Sequence, residues 1–139
     1  MSIKEIQNEI VDEFSLFDDW MQRYEYIIDL GKSLPLIDEQ YKNEDNIIKG
    51  CQSKVWLNGE QIGDKIVFTA DSDAILTKGI IAILIRAFSN QKAADILDAN
   101  TDFIDEIGLK EHLSPTRANG LVSMIKKIKM YALAFNAKK

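Results

Sequence analysis

The stretch from Ala74 to Phe88 leaves this chain little freedom in how it folds. After Lys78 it runs Gly79 to Ile85 without a polar side chain, and only Arg86 interrupts it before Ala87 and Phe88. A helix that is apolar on nearly every side has no face to give to water, so other elements must enclose it. The run Gly79–Ile85 is far short of the roughly 20 residues that span a bilayer, so this is an inner helix of a globular domain. Gly79 and Ala82 permit close approach of whatever packs on it. Asp71, Ser72 and Asp73, just before it, offer N-caps.

The rest of the chain supplies the enclosing elements. Ile3, Ile6, Ile10 and Phe14 recur at spacings of three and four, predicting an amphipathic helix at the start. A second begins near Asp18, carries Trp20, Tyr24, Ile27 and Ile28 on one face, and stops at Gly31 and Pro35. From Pro35 to Lys49 the chain is mostly polar and reads as a loop, long enough to suspect a purpose. Val55-Trp56-Leu57 and Ile66-Val67-Phe68-Thr69 are rich in β-formers. The turn signal Asn58-Gly59 and the later Gly63 between them predict an antiparallel hairpin of open register. Trp56 belongs to the first strand, in the core or half exposed. Lys92–Leu97 and Asp102–Ile107 read as short helices. Ser114 as N-cap and Pro115 at the first helical position open a last helix. Its inner face carries Leu121, Ile125, Ile128, Ala132 and Phe135. The sum is an α+β fold, a small antiparallel sheet packed against several helices, in one domain over residues 1–139.

Charge narrows the function. The net charge is −5, with 12 acidic against 4 basic side chains in residues 1–45 and 1 against 7 in residues 110–139. An acidic chain argues against nucleic acid as the main partner, since phosphate binding needs a positive face. The basic end could dock an acidic protein surface, but Lys126, Lys127 and Lys129 read first as the solvated side of the last helix. The start of the chain lacks a basic region followed by an apolar stretch, so no secretory signal is expected. A single cysteine excludes an internal disulfide and fits a reducing compartment. Together these predict a cytoplasmic protein that is not bound to a membrane.

One Cys and one His cannot build a tetrahedral thiolate–imidazole site within one chain, so neither structural zinc nor a cluster held by this chain alone is expected. No phosphate-binding glycine loop, dinucleotide fingerprint or HExxH motif occurs. The carboxylates are scattered, with no acid–base pair standing out. That leaves Cys51. A free cysteine is usually a small buried hydrophobe. Here it follows Gly50, precedes Gln52 and Ser53, and ends a long polar loop before a strand. Gly50 permits a positive φ or a close approach, which would set the thiol at a loop tip. From spacing alone both readings stay open.

The string Gly50-Cys51-Gln52-Ser53-Lys54-Val55-Trp56 resembles the active-site segment of the SufE family of sulfur acceptors. Three further stretches match in the same order. They are Tyr24 to Gly31 with Leu34-Pro35, Asp71 to Gly79, and His112 to Gly120. The resemblance covers roughly residues 18 to 135. It implies the fold of the cluster-scaffold proteins, with one cysteine where a scaffold uses several ligands. It also implies a reaction. A pyridoxal-phosphate-dependent cysteine desulfurase holds sulfur as a persulfide, and the thiolate of Cys51 takes the outer sulfur and passes it towards an iron–sulfur scaffold complex. No cofactor is then needed on this chain, and a monomer or weak homodimer is expected. A second nearby cysteine would resolve the persulfide to a disulfide, so a lone thiol protects the cargo.

Three side chains are candidates to support Cys51. Arg117 stands in the first turn of the last helix, where the dipole disfavours a cation. It is either a snorkelling surface residue or a partner of Asp73 or of the Cys51 thiolate, and the resemblance favours a place near the cysteine loop. Asp71 and Asp73 read first as N-caps, though the resemblance puts Asp73 near that loop. His112, the only imidazole, is either a base for Cys51 or a cap or surface residue before the last helix. Gln52 and Ser53 could shape the loop through backbone hydrogen bonds. Two other functions compete with sulfur transfer. One is a small cysteine hydrolase or transferase, which would need His112 as its base. The other is a regulatory module that binds the desulfurase without taking sulfur.

Overall fold

The structure is a computed structural model that describes residues 1–51 and 53–137; the loop role expected of Gln52 lies outside the described residues. Helix α1 (Ile3–Phe14) starts with a reciprocal cap, Ser2 accepting from the Glu5 amide and Glu5 from the Ser2 amide. Its buried face is Ile3, Ile10 and Phe14, with Gln7 donating to Asn100 O at 2.9 Å. Helix α2 (Trp20–Gly31) is capped by Asp19, whose carboxylate accepts from Gln22 N at 2.8 Å.

The inner helix α3 (Ile75–Phe88) lies where its apolar circumference requires. Leu76, Ile80, Ile81, Ile83, Leu84, Ile85, Ala87 and Phe88 are all buried. α2 and α3 meet backbone to backbone, because a Cβ on Gly79 would stand 2.0 Å from Ile27 O and one on Gly31 would stand 2.9 Å from Gly79 N. The sequence-predicted N-caps are not used as caps. Ala74 holds the N-cap position with no side-chain bond. Asp71 and Asp73 leave a strand that ends beside the start of its neighbour, and their carboxylates serve that neighbour and nearby lysines instead. Asp71 pairs with Lys42 at 2.8 Å and Lys78 at 3.4 Å.

Strands β1 (Val55–Ile62) and β2 (Lys65–Ser72) form a two-stranded antiparallel sheet in the register Val55–Ser72 to Ile62–Lys65. The hairpin turns at Gly63, with φ +65°, and Asp64, so of the two expected signals Gly63 marks the turn and Asn58-Gly59, five residues earlier, does not. Gly59 is a strand residue required by packing. A Cβ there would lie 2.9 Å from the Phe68 ring and 3.1 Å from that of Tyr131. Ile66, Phe68 and Ala70 of β2 point into the core beside Val55 and Leu57 of β1. Both sheet edges are covered. Ile37 N donates to Ala70 O at 3.0 Å and Asn90 N to Ile66 O at 2.7 Å on one side, and Ile48 N to Val55 O at 2.7 Å on the other.

The short helices α4 (Ala93–Asp98) and α5 (Asp102–Glu106) stand where the sequence predicts them. A further one-turn helix, α6 (Leu109–His112), follows Gly108 in the left-handed region. The polar stretch 35–49 carries two 3-10 turns, Glu39–Tyr41 and Glu44–Asn46, each opened by a side-chain cap. The last helix, α7 (Pro115–Ala137), begins with Ser114 Oγ accepting from Arg117 N at 3.3 Å. Its inner face is Gly120, Leu121, Met124, Ile128 and Ala132, with Ile125 and Phe135 partly buried. Lys129 is not on the solvated side. Its ammonium donates to Ile96 O and to Ala99 O at 2.6 Å, closing the C-terminus of α4. Among the described residues no helix is long and apolar enough to cross a membrane.

Candidate functional site

Cys51 sits in a short loop whose two ends are fixed. On the incoming side, Ile48 is bonded to Val55, and Tyr131 Oη reaches Asn46 Oδ1 at 3.1 Å and Leu57 O at 3.3 Å. On the outgoing side three bonds hold Lys54. Its amide donates to Asp73 Oδ1 at 3.0 Å. Its carbonyl accepts from Asp73 N at 3.2 Å and from Ser72 Oγ at 2.8 Å. Gly50 adopts φ +90°, a conformation a side chain would resist, and a Cβ there would also meet Ser123 Oγ at 3.1 Å. The chain therefore turns at Gly50 and lays Cys51 against α7.

The thiol occupies a small recess lined by Thr77 and Ile80 of α3 and by Arg117, Gly120 and Met124 of α7. Sγ donates to Gly120 O at 3.7 Å. The contact exists because Gly120 has no side chain: a Cβ there would stand 3.2 Å from Sγ and 3.4 Å from Cys51 Cα. The free space left around the thiol is about 10 Å³, no more than a single water needs. Cys51 is half-buried, and burial pushes its pKa up from the ordinary thiol value. The thiolate fraction at neutral pH is lower than for an exposed cysteine, so the resting group is a weak nucleophile.

The sequence-predicted supporting residues divide. Arg117 lines the recess and is partly buried. It makes no ion pair among the described residues, and Asp73 is engaged with Lys54 instead, so the expected Arg117–Asp73 pair is not formed. Asp73 does stand at the cysteine loop, tying its outgoing end to the start of α3. His112 does not line the recess. Its ring stacks on Trp20 with centroids 4.1 Å apart, and its Nδ1 lies 2.9 Å from Gly108 O. Thr77, Ile80, Gly120 and Met124 were not among the expected site residues. Only Gly120 carried a signal, since a glycine inside a helix costs about 1 kcal/mol relative to Ala unless packing requires it. A larger hollow of about 340 Å³ lies near Ile10, Leu30 and Arg86. Its hydroxyls are those of Ser33 and Ser89, no thiol or imidazole lines it, and its cation, Arg86, is bound by Glu9 and Glu13. Among the described residues no group of three or more His, Cys, Asp or Glu could hold a metal ion.

Residues 8–132 match the family model of SufE, an Fe-S metabolism associated domain. An uncharacterized SufE-like protein of Rhizobium meliloti is 43% identical over 131 residues, which cover 90% of this chain and 93% of the relative. The SufE-like protein 1, chloroplastic/mitochondrial, of Arabidopsis thaliana is 37% identical over 131 residues, which cover 94% of this chain and 35% of that protein. The solution structure of a hypothetical protein from Thermus thermophilus superposes with a TM-score of 0.77. The match covers 93% of this chain and 94% of the other at 15% identity, and it shows the α+β fold. By the extent of the family match and the closeness of these relatives, this chain belongs to the SufE family.

Proposed function

We propose that this protein carries sulfur within Fe-S metabolism, taking it as a persulfide on Cys51 from a cysteine desulfurase and passing it towards an iron–sulfur scaffold complex. Membership of the SufE family supports the Fe-S role. The observation that carries the finer reading is the placement of the only cysteine, on a loop fixed at both ends, beside one cation and with no imidazole within its recess. In the proposed step the Cys51 thiolate attacks the outer sulfur of the desulfurase persulfide. The S–S bond of the donor breaks, a new S–S bond forms on Cys51, and the desulfurase thiolate leaves with the electron pair. No oxidant is consumed, because the sulfane sulfur moves without a change of state. The side chains around the thiol, Thr77, Ile80, Arg117 and Met124, are not of the kind that cleaves a C–S bond, which supports release of the sulfur from its amino acid by a partner. Arg117, next to the thiol, is placed to favour the anion during exchange.

The hydrolase reading loses its base, since His112 is stacked on Trp20. The regulatory reading is separated by experiment. Alanine release by a desulfurase supplied with cysteine is measured with the wild-type protein and with Cys51→Ser. Stimulation by the wild type and its loss with the variant is the expected result. Equal stimulation by both overturns the carrier role.

A further inference from the structure

The outer face of α7 combines exposed apolar side chains with uncommitted cations. Val122, Lys126, Met130 and Leu133 follow one another at spacings of four, four and three, so they share one stripe of the helix. Its apolar members lie in water, Met130 exposed by 62% and Leu133 by 61%. Beside the stripe an open hollow of about 370 Å³ separates α7 from the segment that leads into the cysteine loop. Ser123, Lys126, Lys127 and Met130 form one wall, and the facing wall carries Ile47, Lys49 and the acids Glu44 and Asp45. The chain has a net charge of −5, yet residues 110–139 hold 7 basic side chains against 1 acidic. Lys129 is committed to α4, whereas Lys49 and Lys126 form no ion pair among the described residues. The hollow also adjoins the site. A Cβ on Gly50 would meet Ser123 Oγ at 3.1 Å, and Gly120, one turn before Ser123, is the residue against Cys51. An occupant therefore sits about 5 Å along the helix from the seat of the thiol.

We propose that this face of α7 docks the sulfur donor, through an acidic segment that lays apolar side chains on Met130 and Leu133 and carboxylates beside Lys49, Lys126 and Lys127. The inference rests on the carrier reading above and adds the surface that holds the donor. Charge selects the occupant, because three lysines attract an acidic segment and repel a basic one. Glu44 and Asp45 oppose them and fix the register, keeping the partner's carboxylates to the α7 side. From Val122 to Leu133 the stripe runs about 16 Å, the reach of a polypeptide segment rather than of a metabolite. Apolar contact at the centre with charge around it is the anatomy of a protein interface, and a methionine adapts to what it meets. The donor needs such a hold. A half-buried thiol exchanges slowly in chance encounters, and docking beside its loop raises the local concentration of the donor sulfur.

The test measures docking apart from sulfur chemistry. Cys51→Ser is titrated into a cysteine desulfurase by calorimetry, first alone and then with Lys126→Glu and Lys127→Glu added. The two reversals should raise the dissociation constant about tenfold and weaken its dependence on salt. Lys4→Glu with Lys32→Glu changes the net charge equally at lysines that line no part of this hollow, and should bind as the parent does. Met130→Ala should weaken binding about threefold through lost apolar contact. With Cys51 restored, the Lys126 and Lys127 reversals should raise the carrier concentration at half-maximal transfer and leave the saturating rate unchanged. An unchanged alkylation rate of Cys51 in the isolated variant checks that its fold is intact. Equal affinity of the two charge-reversed pairs overturns the proposal, and so does a lower saturating rate at an unchanged half-maximal concentration. Charge-dependent docking with no sulfur gained by Cys51 would overturn the carrier reading and leave the docking surface standing.

Discussion

Burial alone holds the resting Cys51 thiol above its ordinary pKa, and this separates two effects that Arg117 could have. In the isolated protein, Arg117→Ala should leave the pH midpoint of Cys51 alkylation unchanged, because burial is the cause of the raised value. With a desulfurase present, the same variant should slow sulfur transfer about two- to fivefold, the range expected for one partly exposed ionic contact. A shifted midpoint in the isolated protein would show that the cation already acts at rest. Cys51 stands out in the sequence as a lone thiol after a glycine within a longer matching string, and the structure places it in the recess between α3 and α7. The neighbours of the thiol do not stand out. Thr77, Ile80 and Met124 are ordinary apolar or small residues on two helices, and only the packing of α3 against α7 brings them to it. His112 was a candidate because imidazole chemistry is readable in any sequence, whereas the Trp20 ring that occupies it lies far back along the chain, at the start of α2.

Elements were easier to read than the contacts between them. The all-round apolar run announced α3 as the inner helix, and the spacing-of-three-and-four patterns announced α1, α2 and α7. Gly63 does mark the hairpin turn, whereas Asn58-Gly59, a strong turn signal in isolation, lies within the strand because the rings that require Gly59 come from β2 and α7. Asp71 and Asp73 were read as caps because cap preference is local, while their actual partners, Lys42 and Lys54, come from earlier in the chain. These glycines make a quantitative prediction. Gly79→Ala would drive a Cβ to within 2.0 Å of Ile27 O, so α2 and α3 must separate. A loss of about 3 kcal/mol in urea unfolding is expected. Gly63→Ala meets open space and only the strain of φ +65°, for about 1–2 kcal/mol. The reverse order would mean that the α2–α3 crossing is not the tight contact described.

Across the whole molecule, α1 and α3 are tied by ions as well as by apolar packing. Arg86 bonds Glu9 at 2.8 Å and both carboxylate oxygens of Glu13, and Tyr26 of α2 donates to Glu13 as well. The Arg86 bond, opposed by partial burial and aided by Tyr26, holds the Glu13 carboxyl below the usual carboxylate value. A depressed folded-state pKa stabilises the fold fully above the unfolded value, and that contribution disappears as pH falls through the folded value. Glu13→Gln should therefore lower stability at pH 7 by about 1 kcal/mol, discounted for partial exposure. It should also flatten the fall in stability below about pH 4. An unchanged acid limb would place the acid sensitivity elsewhere.

The central claim concerns what the fold as a whole is for, and one mass measurement addresses it directly. The protein is incubated with a cysteine desulfurase and free cysteine, and intact mass and peptide mapping follow without reduction. The account predicts a mass increment of one sulfur atom on Cys51, removed by a reducing thiol and absent when either the desulfurase or cysteine is left out. No increment on Cys51, while the desulfurase turns over in the same mixture, would contradict it.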